Sequence, residues 1–443
     1  MKSVIVSAVA ALSLAGACAG ARAASPDELG QIREQLQQLL QRVDRLEQEN
    51  SALESENATL KARQEDLESQ TRGLREDTAE RAMRVANVEG ADWTRRIALG
   101  GDLRYRHEQI SDEALNAAGV HSTADRYRDR VRARFNARIE ASDEILVGIG
   151  FATTEGGDPR SSNQSLGELF SRKALDLDTA YFDWRFAQWG HLIGGKMKQP
   201  FVKPGQSLFW DNDVNPEGLA LTLASGPLFA SAYGYWIDEA SGPQSAVTAD
   251  TMLFGGQVGV RLPIGASKVL LAAHYYDLAA GQGRAPFFAG NPNGNTTRGP
   301  GTPVLAYDYR VVNLSAELDA TVAGVPLQVW ADVARNQAAA DLDTAWSTGV
   351  LFGKASQPRT WELGAAYQVL EKDALYAQLI DSDFAGGVSD AQGWVLRGGY
   401  APVENWSVNA TWFLNERNRD VPDSAGARKV DYERLQVDFN LKF

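Results

Sequence analysis

The final segment of the chain alternates without a break: Leu435, Val437, Phe439, Leu441 and Phe443 are apolar, and Gln436, Asp438, Asn440 and Lys442 between them are polar. Side chains of a strand point to opposite faces in turn, so this segment has one apolar face and one wet face. A soluble sandwich could lay such a strand on its core, and one segment does not decide. Arg130 to Ile139 carries more information. Val131, Ala133, Phe135, Ala137 and Ile139 share one face, while Arg130, Arg132, Arg134, Asn136 and Arg138 share the other. No dry core accepts that second face, because unpaired charges there would carry their full desolvation cost. A water-filled interior accepts it.

Comparable segments recur along the chain, at about 97–107, 145–154, 177–186, 190–198, 217–224, 227–238, 251–262, 267–277, 306–319, 325–335, 343–353, 360–370, 373–382, 392–401, 404–414 and 430–443. Tight connections such as Ser142-Asp143-Glu144, Gln188-Trp189-Gly190, Ser225-Gly226-Pro227 and Pro263-Ile264-Gly265 alternate with long ones at about 108–126, 155–175, 199–216, 239–250 and 278–305. Short turns on one side and long loops on the other mark an outer-membrane barrel. Trp184, Trp361, Tyr367, Trp394, Tyr400, Trp406 and Trp412 at strand ends would supply its interfacial girdles. The expected fold is an all-β transmembrane antiparallel barrel. The segments number seventeen, but a barrel with both termini on one side needs an even number. Removing 343–353 restores the short and long alternation and leaves sixteen strands; a strand missed within 278–305 would make eighteen.

The N-terminal quarter follows another rule. An apolar stretch from Val4 to Ala17 followed by Ala21-Arg22-Ala23 has the form of a signal peptide spanning 1–23. Cys18, the only cysteine, lies within it; lipid attachment there is a rival reading, with Ala15 where leucine is usual. Cleavage after Ala23 leaves no thiol for disulfides, metal sites or nucleophilic catalysis. In 24–85, Ile32, Leu39, Leu46, Leu53, Leu60, Leu67 and Leu74 recur every seven residues, with Leu29, Leu36 and Val43 at the second seam position. This narrow stripe predicts an α-helical coiled coil in the periplasm, whose polar seam residues Asn50, Asn57, Gln64 and Thr71 fix register. A linker at 86–95 joins it to a barrel over 96–443. No helix past the leader is apolar enough to span a bilayer. The excess of 57 acidic over 44 basic residues argues against a nucleic-acid partner.

Several motifs together resemble the putative porin family of Gram-negative bacteria. They are Gly101-Asp102-Leu103-Arg104-Tyr105-Arg106, the arginine-rich run from Asp125 to Ile139, Ser161-Ser162-Asn163-Gln164-Ser165-Leu166-Gly167, Leu177 to Trp184, Gly195 to Phe201, Trp210-Asp211-Asn212-Asp213 and Ser382-Asp383-Phe384. The resemblance implies a trimeric diffusion channel for small hydrophilic solutes, set in outer-membrane lipid. It fixes no substrate.

Arg104, Arg106, Arg128, Arg130, Arg132, Arg134 and Arg138 are expected on the pore wall, with Lys196 and Lys198 on the inward face of a later strand and Asp178 and Asp183 among opposing carboxylates. This is either an electropositive ladder giving a weak anion preference or a wall whose charges cancel. The loop bearing Asp158, Arg160, Glu168, Arg172 and Lys173 is the expected constriction, because its neighbours Leu166, Leu169 and Phe170 need cover. Phe439, Leu441 and Phe443 form the C-terminal signal for the barrel assembly machinery. Asp211, Asp213 and Asn215 open like a calcium loop but continue with Pro216 where glycine is required, so no metal and no cofactor is expected. The four histidines sit in no catalytic motif and read as solvated wall or loop residues. An outer-membrane enzyme is therefore disfavoured. The alternative to a channel is an anchor that tethers the outer membrane to peptidoglycan through the coil.

Overall fold

The computed structural model describes residues 26–90, 93–115, 121–239, 250–299, 303–419 and 429–443. The leader and Cys18 lie outside the described residues. Two units are distinguished, one N-terminal to Asp92 and one from Trp93 onward.

The first unit holds one helix, α1 (Pro26–Gly90), which runs past the expected end near residue 85. Leu39, Leu46, Leu53, Leu60 and Leu67 are each between 55 and 61% exposed along it. The seam residues Asn57 and Thr71 bond back to the carbonyls of Leu53 and Leu67 on their own helix. Among the described residues no helix is long and apolar enough to cross a membrane.

The second unit is a closed antiparallel barrel of sixteen strands, numbered here by their place in the barrel. They are β1 (Ile97–Leu115), β2 (His121–Glu140), β3 (Ile145–Thr153), β4 (Leu175–Ala187), β5 (Gly190–Lys196), β6 (Glu217–Ser225), β7 (Leu228–Asp238) and β8 (Thr251–Ile264). The second half comprises β9 (Ser267–Ala279), β10 (Tyr309–Val322), β11 (Val325–Asn336), β12 (Thr344–Gly353), β13 (Thr360–Leu370), β14 (Ala391–Val403), β15 (Trp406–Arg417) and β16 (Val430–Lys442). Each strand pairs with its sequence neighbours, and β1 closes on β16 from Asp102 opposite Lys442 to Asp112 opposite Tyr432.

Three expectations are corrected. The 343–353 segment is a barrel strand, β12, and the surplus segment is 373–382, which is a loop folded inside. Its sequence is apolar on both parities, and Leu375, Tyr376, Ala377 and Ile380 are all buried; a strand with water on one side cannot have that pattern. Within 278–305 the only ladder among the described residues is a two-residue pairing of Thr297–Arg298 with Val304–Leu305, apart from the barrel. The expected 108–126 loop is mostly strand. Its outer face turns polar, with His107 bonded to Asp129, Gln109 to Tyr127 and Ser111 to Asp125. The ladder continues there after the apolar signal has ended, so periodicity alone stopped too soon.

The C-terminal residues form the seam. Phe443 accepts from the Gly101 N–H at 3.0 Å and donates to the Gly101 carbonyl at 3.1 Å. Its ring lies 5.9 Å from that of Phe135, and Phe439 lies 6.1 Å from Tyr105. Phe439, Leu441 and Phe443 are outward and exposed. Glycine at 101 is required: a Cβ would fall 2.2 Å from the Arg134 carbonyl and 2.6 Å from the Phe443 ring. Deleting Phe443 removes two backbone hydrogen bonds and an aromatic contact, an expected loss of about 2–3 kcal/mol. Urea titration followed by heat-modifiable gel mobility checks this, and Gly101→Val should reproduce the loss with Phe443 present.

Candidate channel lining

The barrel interior has two chemically distinct parts. On β6 to β15 the inner wall mixes apolar side chains with isolated polar ones, and three loops, 197–216, 280–308 and 371–390, pack against its apolar part. Their residues Met197, Phe209, Trp210, Leu305, Leu375 and Phe384 join Tyr235, Leu253, Tyr276 and Val311 of the wall in one core. On β1, β2 and β16 the wall is ionic.

The ionic part is a chain of paired charges. Arg132 and Arg134 both reach Asp102 at 2.7 Å. Arg106 forks onto Asp438 through Nε at 2.6 Å and Nη2 at 2.8 Å, and its Nη1 donates to Asp383 at 3.0 Å. Glu108, fully buried, accepts from Arg434 at 2.5 Å, from Gln436 at 3.1 Å and from Arg128. Arg104 donates to the Asn163 amide oxygen at 2.6 Å and lies 3.8 Å from Asp438. Arg130 reaches Glu155 at 3.2 Å. Of the seven arginines expected on the wall, Arg138 alone has no ion pair among the described residues, and it is exposed. Paired guanidiniums of this kind are charge-compensated, which opposes a strong field of one sign.

Loops from the same rim complete this wall. The first part of the 154–174 loop turns inward. Arg160 is buried, pairs with Asp158 at 3.3 Å and donates through Nη1 to the carbonyls of Ala377 and Gly387. Its second part turns out: Glu168 and Lys173 pair with each other at 2.8 Å, Arg172 is exposed, and Leu169 and Phe170 are 90 and 101% exposed. Glu168, Arg172 and Lys173 thus stand apart from the interior, contrary to expectation; the boundary is the Gln164–Ser165 pairing with β2.

The 197–216 loop does most of the crossing. Gln257 of β8 mimics a backbone pairing with Val202, donating to its carbonyl and accepting from its N–H, each at 2.8 Å. Glu317 accepts from the Gly205 N–H, Asp332 from Ser207 at 2.6 Å, and Arg397 donates to Gln206 at 2.5 Å. At its far end Asp213 accepts from the N–H and hydroxyl of Ser162 and lies 3.5 Å from Arg134. Burial raises the Asp213 carboxyl, but Arg132 and Arg104 outweigh it and hold the group below the ordinary range. Asp211 accepts the N–H of Asp213 at 2.8 Å, an Asx turn in place of a cation site.

Other expected residues divide. Asp178 and Asp183 have opposite parity, yet both lie inward, because a bulge at the Gly150–Phe151 rung shifts β4 by one residue. Asp183 contacts His191 at 2.8 Å and Asp178 lies 3.6 Å from Lys198. Lys196 shares its rung with Ala180 and Glu217, donates to the Asn215 carbonyl at 3.2 Å and to the exposed Glu217 at 2.8 Å, and lines one cavity with Asp178, Asp213 and Asn215. His274 is a correction: it is buried, bonded to the Tyr233 hydroxyl at 2.7 Å and 4.6 Å from the Phe201 ring. Sequence reasoning also missed Glu108, Asp438, Arg434 and Asp383 as wall partners. Asp383 lay in a quoted motif, Ser382-Asp383-Phe384, with no periodicity to place it inside.

A closed sixteen-strand barrel with an ionic inner wall and loops of one rim folded onto it is the architecture of a porin-type outer-membrane channel. The family model described as Putative porin matches residues 111–298 and 300–443, and the chain belongs to that family. No curated protein matches the sequence. Among solved structures, the high-pH structure of Pseudomonas putida OprB matches at 12% identity and TM-score 0.50, covering 78% of this chain and 94% of that one. A loop L8 deletion mutant of OmpT, an outer membrane protein of Vibrio cholerae, matches at 12% identity and TM-score 0.45, covering 78 and 99%. A triple mutant of Rhodopseudomonas blastica porin matches at 12% identity and TM-score 0.42, covering 78 and 100%.

Two loops are fastened to each other through acids. Asp211 donates its N–H to the Leu379 carbonyl, Asp381 donates to the Leu208 carbonyl, and the Asp211 carboxylate accepts from the Ser382 N–H at 2.9 Å. Burial, then the Asp381 and Asp213 charges, push Asp211 well above the ordinary carboxylate range. Burial and Asp383 likewise raise Asp381. Lys203, pulled down to about 8 by burial, and Arg397 are the facing cations. Groups with raised folded pKa values stabilise below their unfolded values, and that stabilisation is lost as pH rises through the folded ones. The contact between the loops therefore weakens with rising pH. Both N–H groups bonded to Asp381 use Oδ1, so Asp381→Asn keeps those bonds and removes the charge. Its melting temperature in detergent should fall less than that of the parent between about pH 5 and about pH 8; equal slopes would refute the assignment.

Proposed function

We propose that the protein is a passive diffusion channel of the outer membrane for small hydrophilic solutes and ions, with at most a weak anion preference. The observation that carries this reading is the ionic wall on β1, β2 and β16, held inside a closed barrel of a size that leaves an aqueous passage. Near-complete pairing of its arginines supports weak rather than strong ion selection. Membership of the porin family supports a channel rather than an enzyme. Arg104, Arg106, Arg128, Arg130, Arg132, Arg134 and Arg138, with Lys196, Lys198, Asp178 and Asp183, are the proposed lining. Residues 197–216 and 371–390, with Asp158 and Arg160, form the proposed constriction. We assign the helix to the periplasm as a self-associating coil within a homotrimer. The exposed leucine stripe of α1 supports self-association, whereas no observation favours the peptidoglycan tether.

The test is reconstitution of the mature protein in planar bilayers. Stable ohmic steps are expected. Replacing Arg130, Arg132 and Arg134 by serine leaves Glu155, Asp102 and Asp213 uncompensated, so the reversal potential in a KCl gradient should move toward that of potassium. Absence of steps from correctly folded barrels would sink the channel reading. For the coil, a peptide of residues 26–90 should sediment as an oligomer, and Leu46→Asp with Leu53→Asp should return it to a monomer.

A further inference from the structure

A cavity of about 170 Å³ lies between the loop-bearing ends of β3 and β4 and two infolded loop segments. Asp176 and Asp178 come to it from β4, Thr154 and Asp158 from the 154–174 loop, and Asp213 and Asn215 from the 197–216 loop. Its volume is several times what a single water needs. Most of the charge on this lining is already matched. Asp158 pairs with Arg160 at 3.3 Å, and Asp213 accepts from Ser162 and faces Arg134 at 3.5 Å. Asp178 accepts from the Asn215 amide nitrogen at 2.6 Å and faces Lys198 at 3.6 Å. Lys196, the one cation on the lining, is engaged by Glu217 at 2.8 Å and by the Asn215 carbonyl at 3.2 Å. The groups left over can all accept. Among the described residues the side chains of Asp176 and Thr154 have no partner. The Asn215 amide oxygen has none either, although the residue is only 6% exposed.

We propose that this cavity is a binding subsite for organic solutes that carry a small ammonium or guanidinium head. The inference rests on the channel reading and adds to it a class of solute and the place where it is held. The bond from the Asn215 amide nitrogen to Asp178 fixes the amide's orientation, so the atom without a partner is the one that accepts. An enclosed acceptor with no donor carries its desolvation cost unrelieved. Asp176 adds a carboxylate with no cation of the chain beside it. A ligand that answers both brings N–H groups and positive charge together, and hydrogen bonds of that charge-assisted kind are the stronger ones. Other ligands fit less well. Four aspartates face one lysine on the lining, which opposes an anion. Among the described residues no three acidic, imidazole or thiol groups converge closely enough to hold a metal ion. A neutral polyol would satisfy the oxygens and leave the Asp176 charge uncompensated.

The probe is ethylammonium. Tetramethylammonium serves as a cation of equal charge with no N–H group, and glycerol as a neutral polyol. Each is added on the loop-bearing side of channels reconstituted in planar bilayers at fixed KCl, and each is titrated by calorimetry into the folded protein in detergent, which reads binding without conduction. Ethylammonium should bind and interrupt the current in proportion to its concentration, and the other two should do neither. Asp176→Asn, a change at an exposed side chain, should weaken ethylammonium binding about tenfold. Asn215→Leu should abolish the preference for ethylammonium over tetramethylammonium. Heat-modifiable mobility confirms that the variants are folded; should Asn215→Leu fail to fold, Asp176→Asn decides alone. Equal effects of the three probes, or unchanged binding by folded Asp176→Asn, overturn the subsite. A parent that conducts but does not bind ethylammonium overturns the subsite and leaves the channel intact. A parent that binds ethylammonium with the expected loss in Asp176→Asn, yet carries no current, overturns the channel reading and keeps the ligand class of the cavity.

Discussion

A guanidinium enclosed by protein must have an anion brought to it, and the architecture follows from where those anions come from. Taking two ions out of water costs several kcal/mol each, and pairing them roughly restores the balance. The pairs of the ionic wall are therefore poor sources of net stability and strong sources of geometry. A carboxylate that misses its arginine leaves a buried charge on both sides. For Asp383 that means the 371–390 loop has one satisfactory resting place.

Holding the loops there falls to the other part of the interior. Trp210, Phe209, Leu375 and Phe384 are nearly fully buried against β6 to β15, and each buried side chain of this kind contributes about 1.5–3 kcal/mol. A few of them offset the ordering entropy of a long loop, which grows only slowly with loop length. Apolar packing keeps the loops inside; ionic pairing decides how they lie. The strap bonds from Gln257, Glu317, Asp332 and Arg397 tie the crossing loop to four separate strands, so it is held at points spread around the wall rather than at one hinge.

The barrel was legible because its strands obey a period of two with different solvents on the two faces. Arg130 to Ile139 could be placed on a water-facing wall from sequence, and the alternation from Leu435 to Phe443 identified the closing strand. Legibility failed wherever that contrast vanished. Above the lipid the hairpin of β1 and β2 has polar residues on both faces, so its upper half read as loop. The 373–382 segment has apolar residues on both parities, so it read as strand. Asp383, Asp213 and Glu155 were beyond reach for another reason: their partners lie on strands from 25 to 277 positions away in the chain, and nothing local encodes such a meeting. Even the inward bulge that brings Asp178 and Asp183 to the same side is invisible to simple parity.

Loop position and wall charge are coupled by this construction. In a passage whose wall carried its own counter-charges, a loop could move and alter width alone. Here half of the compensating carboxylates ride on the loops, so any displacement of those loops also uncovers guanidinium charge. Rising pH works against the contact of Asp211 with the 371–390 loop, the same loop that carries Asp383. Loosening one fastening would thus also disturb the pairing of Asp383 with Arg106 and Arg434.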